Sequence, residues 1–271
     1  MAEAEVATGA ERIAAAFHGP RAALMPYLMG GFPSLAESLA VGQAYAEYAD
    51  LVELGVPFSD PLADGPAIQA AGQRALEQGA TFERVLDEVA APLARDVPVV
   101  LMCYANPLLA RGLQRAVDAI AGRGVSGLIV PDMPAAEAAE LRAHCDEAGV
   151  ALVPLVAPTT PPEEVRQIAE AARGFVYVVS VTGVTGERAS LPPALGEVVA
   201  RVREAADVPV AVGFGVGTPD QVAAVGEIAD GVIVGSRLVR GVLDAPTHDD
   251  ALTDVRGFLA ESASRLRRSP G

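Results

Sequence analysis

The chain has 271 residues, 51% of them hydrophobic and 20% charged, with a mean hydropathy of +0.32. That composition supports one large core, excludes a mostly disordered chain, and fits the ~250 residues of a single (β/α)8 barrel better than two ordinary domains. A net charge of −15 argues against a nucleic acid partner, which needs a basic face, and no apolar run reaches the roughly 18 to 20 residues of a membrane span.

Every one of the 20 basic residues is Arg. The absence of Lys excludes a Schiff-base aldolase, a protein that carries its own pyridoxal phosphate, and a Walker-type phosphate lysine. His18, His144 and His248 are scattered, as are Cys103 and Cys145, so no metal-ligand spacing exists. Two isolated cysteines, and a first stretch, Met1 to Ala10, that is acidic and lacks an apolar signal core, predict a reduced, cytoplasmic protein.

In chain order, apolar runs at Ala23 to Leu28, Leu51 to Val56, Val97 to Tyr104, Gly127 to Val130, Ala151 to Val156, Phe175 to Val181, Val208 to Gly213 and Gly231 to Val234 read as buried strands. Between them lie Ala-, Glu- and Arg-rich stretches with helix-start chemistry, including capping boxes at Ser34 with Glu37, Thr160 with Glu163, and Thr218 with Gln221. Strand and helix alternate throughout, about eight times, which predicts one (β/α)8 barrel over residues 1–271 with residues 1–10 as a flexible extension; a doubly wound open sheet is the alternative. Pro57 to Asp96 leaves room for a long loop and two helices, and Ala251 to Leu266 is the closing helix.

Glu53 is a carboxylate inside the strand Leu51 to Val56. Alternation puts Leu51, Glu53 and Gly55 on one face and three aliphatic residues on the other, so Glu53 points into the barrel, where burial would raise its pKa and suit it to proton transfer. The competing reading is a structural carboxylate paired with an Arg, for which Arg237 is the one candidate near a strand mouth. Downstream, Asp60 and Asp64 in the loop Pro57 to Pro66 are either turn formers or site acids. Gly-rich turns at Gly183 to Gly186, Gly213 to Gly217 and Gly235-Ser236 follow the last strands, where barrels often hold a phosphate; each could also be a plain tight turn. Tyr177 shares a face with Phe175 and Val179, a pattern common to packed cores; Tyr104 and Asp132 follow the third and fourth strands, and Asp132 suits a helix cap.

The segment Glu53-Leu54-Gly55-Val56-Pro57-Phe58-Ser59-Asp60-Pro61-Leu62-Ala63-Asp64-Gly65-Pro66 resembles the signature of the tryptophan synthase alpha chain family. The likeness continues in Tyr104-Ala105-Asn106-Pro107, Ser180 with Thr182 to Gly186, Gly213-Phe214-Gly215 and Gly235-Ser236, and so spans nearly the whole chain. It implies a (β/α)8 lyase that splits indole-3-glycerol phosphate into indole and glyceraldehyde 3-phosphate without a cofactor or metal. Glu53 and Asp64 would be catalytic. Tyr27, Ile68, Tyr104, Ile129 and Tyr177 would line the indole and glycerol subsite, and Thr185, Gly186, Gly213, Gly215, Gly235 and Ser236 the phosphate subsite. The implied partner is a tryptophan synthase beta chain in an alpha2beta2 heterotetramer, facing Asp60, Pro61, Asn106 and Pro107. Two departures are Val181, where many relatives carry Arg, and a stretch from Glu187 to Ser190 shorter than in some. A free-standing lyase, an inactive subunit that only activates a beta chain, and a sugar-phosphate isomerase on a similar barrel are the alternatives.

Overall fold

The computed structural model describes residues 7–179, 193–213 and 215–266. Nine short strand segments make one sheet: β1 Ala23–Met29, β2 Val52–Gly55, β3 Val99–Met102, β4 Gly127–Ile129, β5 Ala151–Leu152, β6 Leu155–Val156, β7 Val176–Val179, β8 Val210–Gly213 and β9 Gly231–Val234. All their pairings are parallel. Chain neighbours lie side by side and β9 returns to pair with β1, which leaves no reversal of strand order such as a doubly wound sheet requires.

β5 and β6 are two halves of one stave. Pro154 cannot donate to a ladder, so it interrupts the run expected from Ala151 to Val156. The ring closes across the break, because the Val153 amide donates to the Leu128 carbonyl (2.9 Å) on one side and the Tyr177 amide donates to the Pro154 carbonyl (3.0 Å) on the other. Eight staves in a closed parallel ring make the (β/α)8 barrel.

The helices among the described residues are α1 Gly9–Ala16, α2 Leu35–Ala46, α3 Pro66–Glu77, α4 Phe82–Val85, α5 Ala91–Leu93, α6 Ala105–Arg111, α7 Leu113–Ala121, α8 Ala139–Ala148, α9 Pro162–Ala171, α10 Pro193–Ala205, α11 Pro219–Gly226, α12 Ser236–Asp244 and α13 His248–Arg265, with a π segment, Leu86–Ala90, joining α4 to α5. None is long and apolar enough to cross a membrane. The expected capping box at Thr218 is complete, and Ser34 caps α2 with its hydroxyl accepting from the Glu37 amide at 3.2 Å. Thr160 is not a cap. Prolines at 161 and 162 start α9 one residue later, and the Thr160 hydroxyl instead accepts from the Ala157 amide. The closing helix starts at His248 rather than Ala251, because Thr247 caps it and Asp249 and Asp250 favour its first turn. Of the stretch expected as an extension, Thr8 to Ala10 belong to the barrel: Thr8 forms a capping box with Glu11, and the Gly9 amide donates to the Gly149 carbonyl.

Two shells of apolar side chains result. An outer shell lies between staves and helices; the inner one contains Met25, Leu51, Val100, Ile129, Phe175 and Ile233, together with Ile13 and Phe17 contributed by α1 and the residue that follows it. The α1 segment thus closes the N-terminal end of the barrel. Phe17 packs on Phe175 with ring centroids 5.6 Å apart, and Arg12 pins the helix by donating to the carbonyls of Gly124 and Ala94.

Candidate active site

Glu53 lies in β2 opposite Tyr27 of β1 and Val100 of β3, is 2% exposed, and has no hydrogen-bond partner on either carboxylate oxygen among the described residues. Burial, helped by the nearby charge of Asp64, pushes its pKa up to about 8. Arg237, the sequence's candidate for an ion pair with Glu53, makes a two-pronged ion pair with Asp254 at 2.8 Å.

Asp64 approaches from the loop between β2 and α3. Its amide donates to the Pro61 carbonyl at 3.1 Å, and Gln69 Nε2 closes the turn by donating to the Asp64 carbonyl at 2.9 Å. Tyr104, just past β3, holds this loop from the side: its hydroxyl accepts from the Ala63 amide at 3.0 Å and donates to the Asp64 carboxylate. Phe58 stacks on the Tyr104 ring with centroids 5.1 Å apart. Burial raises Asp64 to about 6, partly opposed by the Tyr104 hydrogen bond. Asp60 is exposed and its carboxylate accepts from the neighbouring Ser59 hydroxyl, so the two acids the sequence leaves equivalent are separated by the fold.

Tyr27 and Tyr177 are buried inside the ring, and both hydroxyls are held in the neutral form by burial and by the charges of Glu53 and Asp64. Each ring crosses a glycine of the next stave. A Cβ on Gly55 would overlap the Tyr27 hydroxyl, and one on Gly213 the Tyr177 hydroxyl. Gly213 thus has a role that the sequence reading missed, since alternation assigns a face but not how far a ring reaches. Ile129 is fully buried in the inner wall, and a Cβ on Gly235 would sit 3.7 Å from Tyr27 and 3.9 Å from Ile68, so Gly235 faces the same pocket.

Gly235 is also the N-cap of α12, with no side chain capping the helix start at Ser236, and Gly215 has a positive φ of 38°. Thr185, Gly186, Val181 and Glu187 to Ser190 lie outside the described residues. Asp132 is a cap, but for a neighbouring helix: it accepts from the Ala105 amide at 2.8 Å, at the start of α6. On the rim, Asp60 and Asn106 are exposed and Pro61 and Pro107 half-buried. Beside them stand the two most exposed large hydrophobics among the described residues, Leu62 at 94% and Leu109 at 56%. Sequence reasoning passed over both; the available signal was a leucine in a Pro- and Asp-rich loop with nothing local to bury it.

A buried acid without a partner among the described residues, a second acid on a braced loop, and a pocket-facing glycine at a helix start, all in a (β/α)8 barrel, define an acid–base enzyme acting on a small molecule. The family model for the tryptophan synthase alpha chain matches residues 13–264, and the chain belongs to that family. It is 50% identical over 251 residues to the tryptophan synthase alpha chain of Chloroflexus aggregans, covering 92% of this chain and 94% of that one. The alpha chain of Synechococcus sp. strain CC9902 is 49% identical over 254 residues, 92% of each. Among solved structures, Mycobacterium tuberculosis tryptophan synthase superposes with a TM-score of 0.87 at 36% identity, covering 97% of this chain and 99% of that one.

Proposed function

We propose that this chain cleaves indole-3-glycerol phosphate to indole and glyceraldehyde 3-phosphate, the alpha reaction of tryptophan biosynthesis, with Glu53 moving the protons and Asp64 balancing charge on the indole nitrogen. The single observation that carries this reading is Glu53, buried inside the ring with no hydrogen-bond partner among the described residues, where burial pushes its pKa up to about 8. Breaking the bond from indole C3 to the glycerol chain leaves an electron pair on C3, so C3 is protonated first. Glu53 donates that proton, and the ionised Asp64 carboxylate stabilises the positive charge at the ring N–H. Glu53, now a carboxylate, takes the proton of the adjacent glycerol hydroxyl; its O–H pair forms the aldehyde, and the broken C–C pair restores the aromatic indole. Glu53 ends as it began, and the route needs no lysine.

In this reading Tyr27, Ile68, Tyr104, Ile129 and Tyr177 enclose the indole and glycerol, while Thr185, Gly186, Gly213, Gly215, Gly235 and Ser236 hold the phosphate. The partner is a beta chain, in an alpha2beta2 assembly, docked on the rim of Asp60, Pro61, Asn106 and Pro107, where the exposed Leu62 and Leu109 supply apolar area. The setting is cytoplasmic. Two intact acids in one pocket favour an active subunit over one kept only to activate its partner. The test is indole release from indole-3-glycerol phosphate by the purified chain. Glu53→Gln keeps the side-chain volume and should lower kcat by about 10²-fold or more with little change in substrate affinity. A variant that turns over at the wild-type rate would end the assignment.

A further inference from the structure

Gly235, which faces the pocket, is the N-cap of α12 and Ser236 is the first residue of the helix, so the orientation of this helix sets where those residues point. The same turn is tied to α13. Arg237 Nη1 and Nη2 donate to Asp254 Oδ2 and Oδ1 of α13, both at 2.8 Å, and the guanidinium carbon lies 5.0 Å above the Phe258 ring. Gly241, one turn further along α12, leaves room for the pair: a Cβ there would overlap the Asp254 carboxylate and lie 2.7 Å from Arg237 Nη1. Tyr45 of α2 lies close enough to feel both charges, its hydroxyl buried without a hydrogen-bond partner among the described residues and its pKa raised by burial and by the Asp254 charge. Three elements thus converge on a fork that starts two residues after the pocket glycine.

We propose that Arg237 and Asp254 are a positioning pair for the phosphate end of the site: they fix α12 against α13 so that its first turn meets the substrate phosphate in one orientation. The inference rests on the reading of Gly235 and Ser236 as phosphate-binding residues. A planar guanidinium held at two points and stacked on a ring fixes direction, which a single ammonium contact does not. The pair is partly buried, with side-chain exposures of 26% and 39%, so its geometry is not that of a loose surface contact.

Arg237→Lys keeps the charge and loses the fork; Asp254→Asn keeps the shape and loses the charge. For each, calorimetry with glycerol 3-phosphate and with indole is set beside steady-state kinetics and a thermal melt. Glycerol 3-phosphate affinity and the reciprocal of KM should both fall about tenfold, kcat should stay within about twofold, indole affinity should be unchanged, and the double variant should be no worse than the weaker single one. Exchanging the residues, Arg237→Asp with Asp254→Arg, should recover part of the loss. Unchanged glycerol 3-phosphate affinity in both single variants overturns the proposal, as does an equal loss of both affinities and kcat. Gly235→Asp separates the two readings. If it abolishes glycerol 3-phosphate binding while Asp254→Asn has no effect, the phosphate subsite stands and the positioning pair falls; if it leaves binding intact, the subsite itself is wrong and the pair falls with it.

Discussion

Burial moves Glu53 and Asp64 in the same direction yet leaves them on opposite sides of neutrality, at about 8 and about 6. At pH 7 the first holds its proton and the second is ionised, the states that the proposed protonation of C3 and charge balance require. The profile of kcat/KM should therefore rise through about pH 6 and fall through about pH 8. Because the charges interact, the limbs belong to the pair. Asp64→Asn should remove the rising limb and most of the activity, and should also move the falling limb to lower pH, since the charge that helps raise Glu53 is gone. A mutant profile with both limbs in place would refute the assignment. The same shifts act on stability with a definite sign. Both folded-state values lie above the ordinary 4.5 and 3.8, so the folded chain binds more protons, and the stabilisation present at acid pH is lost as pH rises through about 6 and then about 8. At this scale Glu53 was legible, because an acid in an apolar strand has few reasons to be there. The choice between Asp60 and Asp64 was not, because Tyr104, the residue that separates them, lies forty residues further on.

Among the elements, the staves place the site by what they omit. Gly55 and Gly213 let Tyr27 and Tyr177 lie across them, and the pocket wall depends on both crossings. Gly55→Ala should displace the Tyr27 ring, lower kcat/KM by about tenfold or more, and destabilise the fold by about 1–3 kcal/mol, as overpacking does; chemical denaturation beside kinetics checks both. Gly213→Ala discriminates between two roles for one residue. If its main task is to admit Tyr177, indole affinity should suffer more than affinity for inorganic phosphate, whereas the reverse would make it chiefly a phosphate contact. Strand positions followed from apolar runs, and helix starts from caps where the cap was the only claimant. Thr160 failed because two prolines competed for the same turn, and the fifth stave was read as continuous because its apolar character hides what Pro154 does to a hydrogen-bond ladder.

For the whole molecule, α1 closes one end of the ring, so the open mouth is the one ringed by Asp64, Tyr104 and the exposed Leu62 and Leu109. A partner docked there would order the loop that carries Asp64, and it can do so only by preferring the closed arrangement. The isolated chain is expected to be a slow lyase that a cognate beta chain accelerates about 10- to 100-fold, a coupling of roughly 1–3 kcal/mol. Leu109→Asp should keep the basal rate and lose both the acceleration and co-elution on a sizing column. High basal activity with no complex at micromolar concentration would instead favour the free-standing lyase. The barrel itself was readable from the eightfold alternation; the rim was not, because a leucine is visibly unpaired only once the surface around it exists.

The divided fifth stave makes the ring unequal around its circumference. Its halves, Ala151–Leu152 and Leu155–Val156, are two residues each, where β2 and β9 have four. Thermal breathing should open along this seam before anywhere else, unzipping a few amides while the other staves keep their ladders. Deuterium should therefore replace the amide protons of Ala151, Val153 and Tyr177 sooner than that of Val52, which donates to the Pro98 carbonyl in the uninterrupted β2–β3 pairing. Equal protection at all four would mean that the ring yields only as a whole. If the seam does open first, a cut or a new pair of chain ends at Val153 and Pro154 is the place where the barrel would best survive being divided.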